Sequence, residues 1–202
     1  MTTVPKLWPN STIVCVGTGP SLTQADVEFC RDKARMIVVN DAYKLAKWAD
    51  VLYACDAKWW RWEKGAQSFA GLKYSLQTSS ALFKGIQVIR NLGRDGLTLD
   101  PTGVKAGHNS GYQAINLAVH LGAARIVLLG YDMGRPARGP SHCFGEHPDR
   151  TQPPYAACIK AFQTLPGPLA AAGIDIVNCS RSTALSCFRR EAIDTVLVER
   201  AA

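Results

Sequence analysis

What this chain lacks narrows it first. No apolar run approaches the roughly 18 residues that a membrane-spanning helix needs. The start, Met1-Thr-Thr-Val-Pro-Lys6, has no basic segment leading into an apolar one, so no signal peptide is expected. No internal repeat and no low-complexity tract occurs. The seven cysteines, at 15, 30, 55, 143, 158, 179 and 187, form no Cys-x-x-Cys pair, and their number is odd. They read as reduced thiols in a cytoplasmic protein rather than as a secreted disulfide scaffold. Acidic charge is scarce as well: 16 Asp and Glu stand against 23 Lys and Arg, a net +7. That excess favours anionic partners such as nucleotide phosphates, nucleic acid or acidic glycans, without choosing among them.

What remains is an ordinary globular composition, 47% hydrophobic and 19% charged over 202 residues. One domain spanning 1–202 is expected. Short β-branched runs alternate with longer mixed segments. Strands are expected at Thr12–Val16, Arg35–Val39, Val51–Cys55, Ile86–Arg90, Arg125–Leu129 and Ile174–Val177. Helices are expected near Leu22–Lys33, Ala42–Trp48, Ala57–Phe69, Ser110–Leu121, Tyr155–Leu165 and Thr183–Arg200. Leu92–Gly107 and the Gly/Pro-rich Met133–Pro154 read as loops, the second as a long lid (133–154). This alternation predicts an α/β fold, a Rossmann-like, mostly parallel sheet with helices on both faces. Ligands of such sheets bind at the carboxyl ends of the strands.

The conspicuous polar residues fall at that edge. Gly17-Thr18-Gly19-Pro20-Ser21-Leu22 follows a strand and opens a helix, where backbone N–H groups can hold a phosphate. It lacks the lysine of a Walker A loop, and Leu22 stands where a dinucleotide fingerprint needs a third small residue; a tight turn without ligand is the plain alternative. Gly107-His108-Asn109-Ser110-Gly111 feeds the central helix, with Ser110 and Gln113 in a capping-box spacing and the preceding polar residues suited to an anion. Asn40, Asp41, Asp56 and Asp132 lie just past strand ends. Asn40 suits a base edge or ribose; Asp56 and Asp132 could meet ribose hydroxyls, hold Mg²⁺, act as a base, or serve as a helix cap and a turn-closing residue. In the late loop, His142, Cys143, Glu146, His147 and Asp149 crowd together. The spacing matches no strong zinc signature, so no metal ligand is assigned, and a lid histidine acting as general base is the favoured reading. Trp59, Trp60 and Trp62 interleave with Lys58, Arg61 and Lys64, a pattern for stacking a base or sugar, for core packing or for a homo-oligomer contact.

Together these segments resemble a family. Gly17–Leu22, Asn40-Asp-Ala-Tyr43, Asn109-Ser110-Gly111 followed by Ala114, Ala118 and Leu121-Gly122, and the strand ending Gly130-Tyr-Asp132 are similar, in order and spacing, to the small bacterial CMP-sialic-acid-dependent sialyltransferases. The wider relatives include 6-hydroxymethylpterin diphosphokinase-like proteins and short uncharacterised phage proteins. The likeness runs from about residue 12 to residue 188. It implies a metal-free glycosyltransferase without cofactor, its substrate a nucleotide or nucleotide-sugar bound by Gly17, Thr18, Gly19, Pro20, Ser21, Asn40 and Ser110. From their place at the same edge, Asp41, Asp56, Asn109, Gly111 and Asp132 complete the expected nucleotide contacts. His147, with His142 second, matches the family's base for the acceptor hydroxyl. The family's paired tyrosines have no counterpart between 133 and 141; Arg135 and Arg138 stand there and could stabilise the departing phosphate electrostatically. Asp56 replaces an expected Asn. The acceptor is left open, with an anionic acceptor and DNA among the candidates. Two alternatives stay open: Mg²⁺-dependent diphosphoryl transfer, and non-catalytic nucleotide or nucleic-acid binding.

Overall fold

The computed structural model describes residues 2–134, 143–144 and 154–197. In chain order the first half holds β1 (Ser11–Val16), α1 (Gln24–Phe29), β2 (Arg35–Val39), β3 (Val51–Tyr53), α2 (Ala57–Trp62), β4 (Leu72–Ser75), β5 (Ile86–Val88), β6 (Arg90–Asn91) and β7 (Gly103–Val104). The second half holds α3 (Ser110–Leu121), β8 (Ala123–Leu129), α4 (Tyr155–Phe162), α5 (Pro166–Ala171), β9 (Asp175–Asn178), β10 (Arg189–Arg190) and α6 (Ile193–Val196). Eight strands form one sheet in the order β10-β9-β8-β1-β2-β3-β4-β5. Every pairing in it is parallel. The fold is therefore the expected Rossmann-like α/β architecture.

Its stability follows from period-two alternation on strands covered on both sides. Ile13 and Cys15 of β1 enter one core with Ile37, Val39, Ile126 and Leu128, beneath Ala114, Ile115, Leu117, Ala118 and Leu121 of α3. Val14 and Val16 enter the opposite core with Met36, Val38, Val127 and Leu129, against Val27 of α1 and Trp59 and Trp60 of α2. β1 lies in the middle. From it the chain walks outward through β2 to β5, then crosses back through α3 to lay β8 on the other flank of β1. Connections thus leave β1 and β8 in opposite directions, which opens a crevice at their carboxyl ends.

Several boundaries differ from the sequence expectation, each for a physical reason. β4 was not expected, because Lys73 makes it look polar; that lysine is buried and its ammonium donates to Gly65 O at 3.0 Å. Burial holds its pKa below the ordinary lysine value. The helix expected over Ala57–Phe69 stops at Trp62, where Lys64, Gly65 and Ala66 take left-handed φ values of 50°, 74° and 45°. The helix expected over Ala42–Trp48 is a 3₁₀ turn at Asn40–Lys44. β7 within the expected Leu92–Gly107 loop pairs with β6. The C-terminal helix expected near Thr183–Arg200 is a correction: Arg189–Arg190 is an edge strand beside β9, and only Ile193–Val196 is helical among the described residues. Thr183 explains part of this, since its hydroxyl donates to Tyr131 O and accepts from Leu185 N–H, bonds that compete with helix.

The short α1 depends on its first turn. Thr23 accepts from Asp26 N–H while Asp26 accepts from Thr23 N–H, a reciprocal cap. Arg181 adds a two-pronged bond to Asp26, 2.8 Å from each carboxylate oxygen, tying α1 to the segment after β9. Burial pushes the Asp26 carboxyl up, but the bonds from Arg181 and Thr23 and the Arg181 charge together outweigh it and hold the group below the usual carboxylate range. A depressed carboxyl stabilises the native state above the unfolded pKa, about 4, and loses that contribution as the pH falls below it. Thr23→Ala is expected to cost about 1 kcal/mol in urea denaturation. Asp26→Asn should lower the denaturation midpoint at pH 7, and its difference from the parent should shrink on acidification towards pH 3.

Candidate functional site

A cavity of about 630 Å³ opens where the loops after β1 and β8 part. Ten of the twelve residues expected to meet a nucleotide line it: Gly17, Thr18, Gly19, Pro20, Asn40, Asp56, Asn109, Ser110, Gly111 and Asp132. Ser21 and Asp41 do not. Ser21 lies behind the wall, where its N–H and hydroxyl both donate to the Asp132 carboxylate, each at 2.8 Å. Asp41 accepts from Trp59 Nε1 at 3.1 Å and pairs with Lys44 at 3.1 Å. Both are bonded to residues of the cavity wall or its support rather than lining the cavity.

The loop after β1 is glycine-rich because another chain segment presses on it. Gly17 N–H donates to Leu129 O and Gly19 N–H to Gly130 O, both at 2.8 Å. A Cβ on Gly17 would stand 2.6 Å from Gly130 O, and one on Gly19 would run into the Asp132 carboxylate. Asp132 is buried, and its desolvation raises the carboxyl above the ordinary value although the Ser21 bonds oppose the shift. Its two oxygens are both engaged by Ser21. In place of the turn within its own segment that was one expectation, Asp132 joins two loops.

α3 enters the cavity wall by its first turn. Asn109, rather than the expected Ser110, is the N-cap, its side chain accepting from Tyr112 N–H at 2.9 Å. Ser110 begins the helix, and its hydroxyl accepts from Cys55 N–H at 3.1 Å, which leaves the hydroxyl proton for a further partner. Gln113, the expected capping partner, instead accepts from Tyr53 OH at 2.8 Å and donates to Ala106 O at 2.6 Å. The positive end of a twelve-residue helix therefore faces the cavity.

α2 builds the opposite wall. Asp56 occupies its N-cap position without a side-chain cap bond; Gln77 accepts from Ala57 N–H at 2.9 Å in its stead. Trp59 and Trp60 are core residues, and Trp59 also lines the cavity, as do Lys58, Arg61 and the 36% exposed Trp62. Lys58 Nζ lies 5.0 Å from the Trp62 ring centre. Of the three expected uses of the tryptophans, core packing holds for two. Gln77, Ser79, Tyr155 and Cys158 also line the cavity. Gln77 and Ser79 follow the buried-lysine strand β4, whose polar appearance hid them in the sequence.

Asn40, His108 and Met133 carry positive φ values of 49°, 66° and 49°. These are uncommon for residues with a Cβ, and all three line the same cavity. The expected catalytic residues His147, His142, Arg135 and Arg138 lie outside the described residues. From the expected lid, Cys143 is described, and its N–H donates to Thr18 O at 3.1 Å.

Comparison with known proteins bears on the fold. The chain is similar to the solved sialyltransferase CstII from Campylobacter jejuni, determined in complex with a substrate analogue, cytidine-5′-monophosphate. The TM-score is 0.60 at 14% identity, over 92% of this chain and 86% of the other. No protein-family model matches the chain. No curated protein matches it in sequence.

The Asp132–Ser21 junction is open to direct test. Asp132→Ala removes a charged acceptor from two donors and is expected to cost about 2–3 kcal/mol in urea denaturation, against about 1–2 kcal/mol for Ser21→Ala. The double variant should cost clearly less than the sum, because the two single changes break the same bonds.

Proposed function

We propose that this protein is a nucleotide-sugar-dependent glycosyltransferase that uses a CMP- or other nucleotide-activated donor. The observation that carries the reading is the convergence of ten separately expected residues on one cavity at the carboxyl edge of the sheet. Similarity in fold to a sialyltransferase solved with a cytidine nucleotide supports it.

In this reading the start of α3 holds the phosphate, and Asn40 and Asp56 contact ribose and base. Gly17–Pro20 line the nucleotide without lending the N–H groups of Gly17 and Gly19, which are bonded to Leu129 O and Gly130 O. His147, with His142 second, takes the proton from the acceptor hydroxyl as its oxygen attacks the anomeric carbon. The bond from that carbon to the phosphate oxygen breaks, and the nucleotide leaves with the electron pair. Arg135 and Arg138 stabilise the charge that develops on the leaving phosphate. The chemistry needs no metal. The acceptor is left open; the net charge of +7 would suit an anionic one, DNA included.

The diphosphokinase alternative would need carboxylates for Mg²⁺ between nucleotide phosphates. Asp56 lines the cavity, and Asp132, with one Ser21 donor on each oxygen, keeps a lone pair on each for a cation.

A melting screen with CMP, UDP, GDP, ADP and ATP, with and without Mg²⁺, separates the readings. CMP at a hundredfold over its Kd should raise Tm by roughly 5–10 °C without metal. A response to ATP only with Mg²⁺ would establish the diphosphokinase instead. Salt-dependent binding of DNA with no turnover of any nucleotide sugar would mark a binding protein. In a glycosyltransferase, His147→Ala should keep nucleotide affinity and lose turnover; unchanged turnover removes His147 from the role.

A further inference from the structure

Arg94 and His108 meet at the edge of the cavity, and their contact determines the state of the imidazole. Arg94 Nε donates to His108 Nε2 at 2.9 Å. A guanidinium keeps its protons and offers no acceptor, so Nε2 must carry the lone pair. A doubly protonated ring would set two donors face to face. In this contact Nε2 accepts, which places the donor N–H of the ring on Nδ1.

The pair stands on a braced platform. Ala106 N–H donates to Gly93 O at 2.8 Å, Gly107 N–H to Arg94 O at 2.7 Å, and Lys105 Nζ to Leu92 O at 2.7 Å. These bonds lock the strap that carries Arg94 against the stretch leading into α3. Gly107 and His108 are both left-handed, with φ of 51° and 66°, and a side chain on Gly107 would run into the Tyr112 ring. The turn sets His108 into the cavity wall directly before Asn109, Ser110 and Gly111.

We propose that Arg94 and His108 form an oxyanion-binding pair that takes the phosphate of a nucleotide held at Ser110. His108 donates from Nδ1. Arg94 acts as a positioning residue that fixes the tautomer, and its charge adds to the positive potential at the start of α3. Two features point to an anion here. The Ser110 hydroxyl still has a proton to give, and the helix presents its positive pole. The proposal rests on the nucleotide reading given above.

Calorimetry with CMP and with cytidine, which lacks the phosphate, tests it alongside ¹⁵N NMR of the imidazole. His108→Ala and Arg94→Ala should each weaken CMP binding roughly tenfold while changing cytidine binding by less than about twofold. In the parent protein the ring proton should lie on Nδ1; in Arg94→Ala it should move to Nε2, and Arg94→Lys should restore both the tautomer and part of the CMP affinity. Equal loss of CMP and cytidine affinity, unaltered CMP affinity, or a ring protonated on Nε2 in the parent overturns the pair's role. If the parent binds neither ligand, the nucleotide reading fails separately. Inorganic phosphate then tests the pair alone: shifts of the His108 resonances in the parent but not in Arg94→Ala sustain it, and no shift overturns it.

Discussion

The site depends on the crossing of two loops at the ends of β1 and β8. The backbone after β1 runs so close to Gly130–Asp132 that a Cβ at Gly17 or Gly19 has no room, and Asp132 then holds Ser21 by both a backbone and a hydroxyl donor. Ser21 Oγ also accepts from Ser182 N–H at 3.2 Å. Segments following three neighbouring strands, β1, β8 and β9, are thereby joined at one point. The floor of the cavity inherits its shape from this junction, and so do the directions in which its backbone N–H groups point.

Around that floor the walls differ in chemistry. The α3 side offers the helix pole, the Ser110 hydroxyl and the Arg94–His108 contact, all suited to negative charge. The α2 side offers the exposed Trp62 indole with Lys58 over it, Arg61, and the Asp56 carboxylate. A cavity with a donor-rich end and an aromatic, mixed-charge end is suited to a ligand whose own ends differ. Three of the seven positive φ angles on described residues with a Cβ, those of Asn40, His108 and Met133, fall on the cavity wall.

Much of the architecture could be read from pattern, because buried parallel strands are β-branched runs and their helices show apolar spacing. Ten of the twelve expected contact residues reach the cavity for the same reason: residues just past the ends of neighbouring strands lie at one edge. The failures are equally specific. Lys73 disguised β4 because its charge is buried against a carbonyl. Thr183 and Arg189–Arg190 broke an expected helix through side-chain bonds and an edge pairing that no local pattern announces. Ser110 yielded the cap to Asn109, one residue away, because cap geometry depends on backbone angles set by the turn at Gly107 and His108.

By itself the sequence determined the class of fold, the strand that leads into the glycine turn, and the edge at which the polar residues gather. These follow from short-range periodicity and from glycine, which are local properties. Only the tertiary structure decided which polar groups face a ligand and which face each other. Asp132 turns to Ser21, Asp41 to Trp59 and Lys44, Gln77 to the start of α2, and Arg94 to His108. Apart from Lys44, three residues from Asp41, those partners stand 14 to 111 residues apart, so their pairing is settled by how the chain folds back on itself rather than by local pattern.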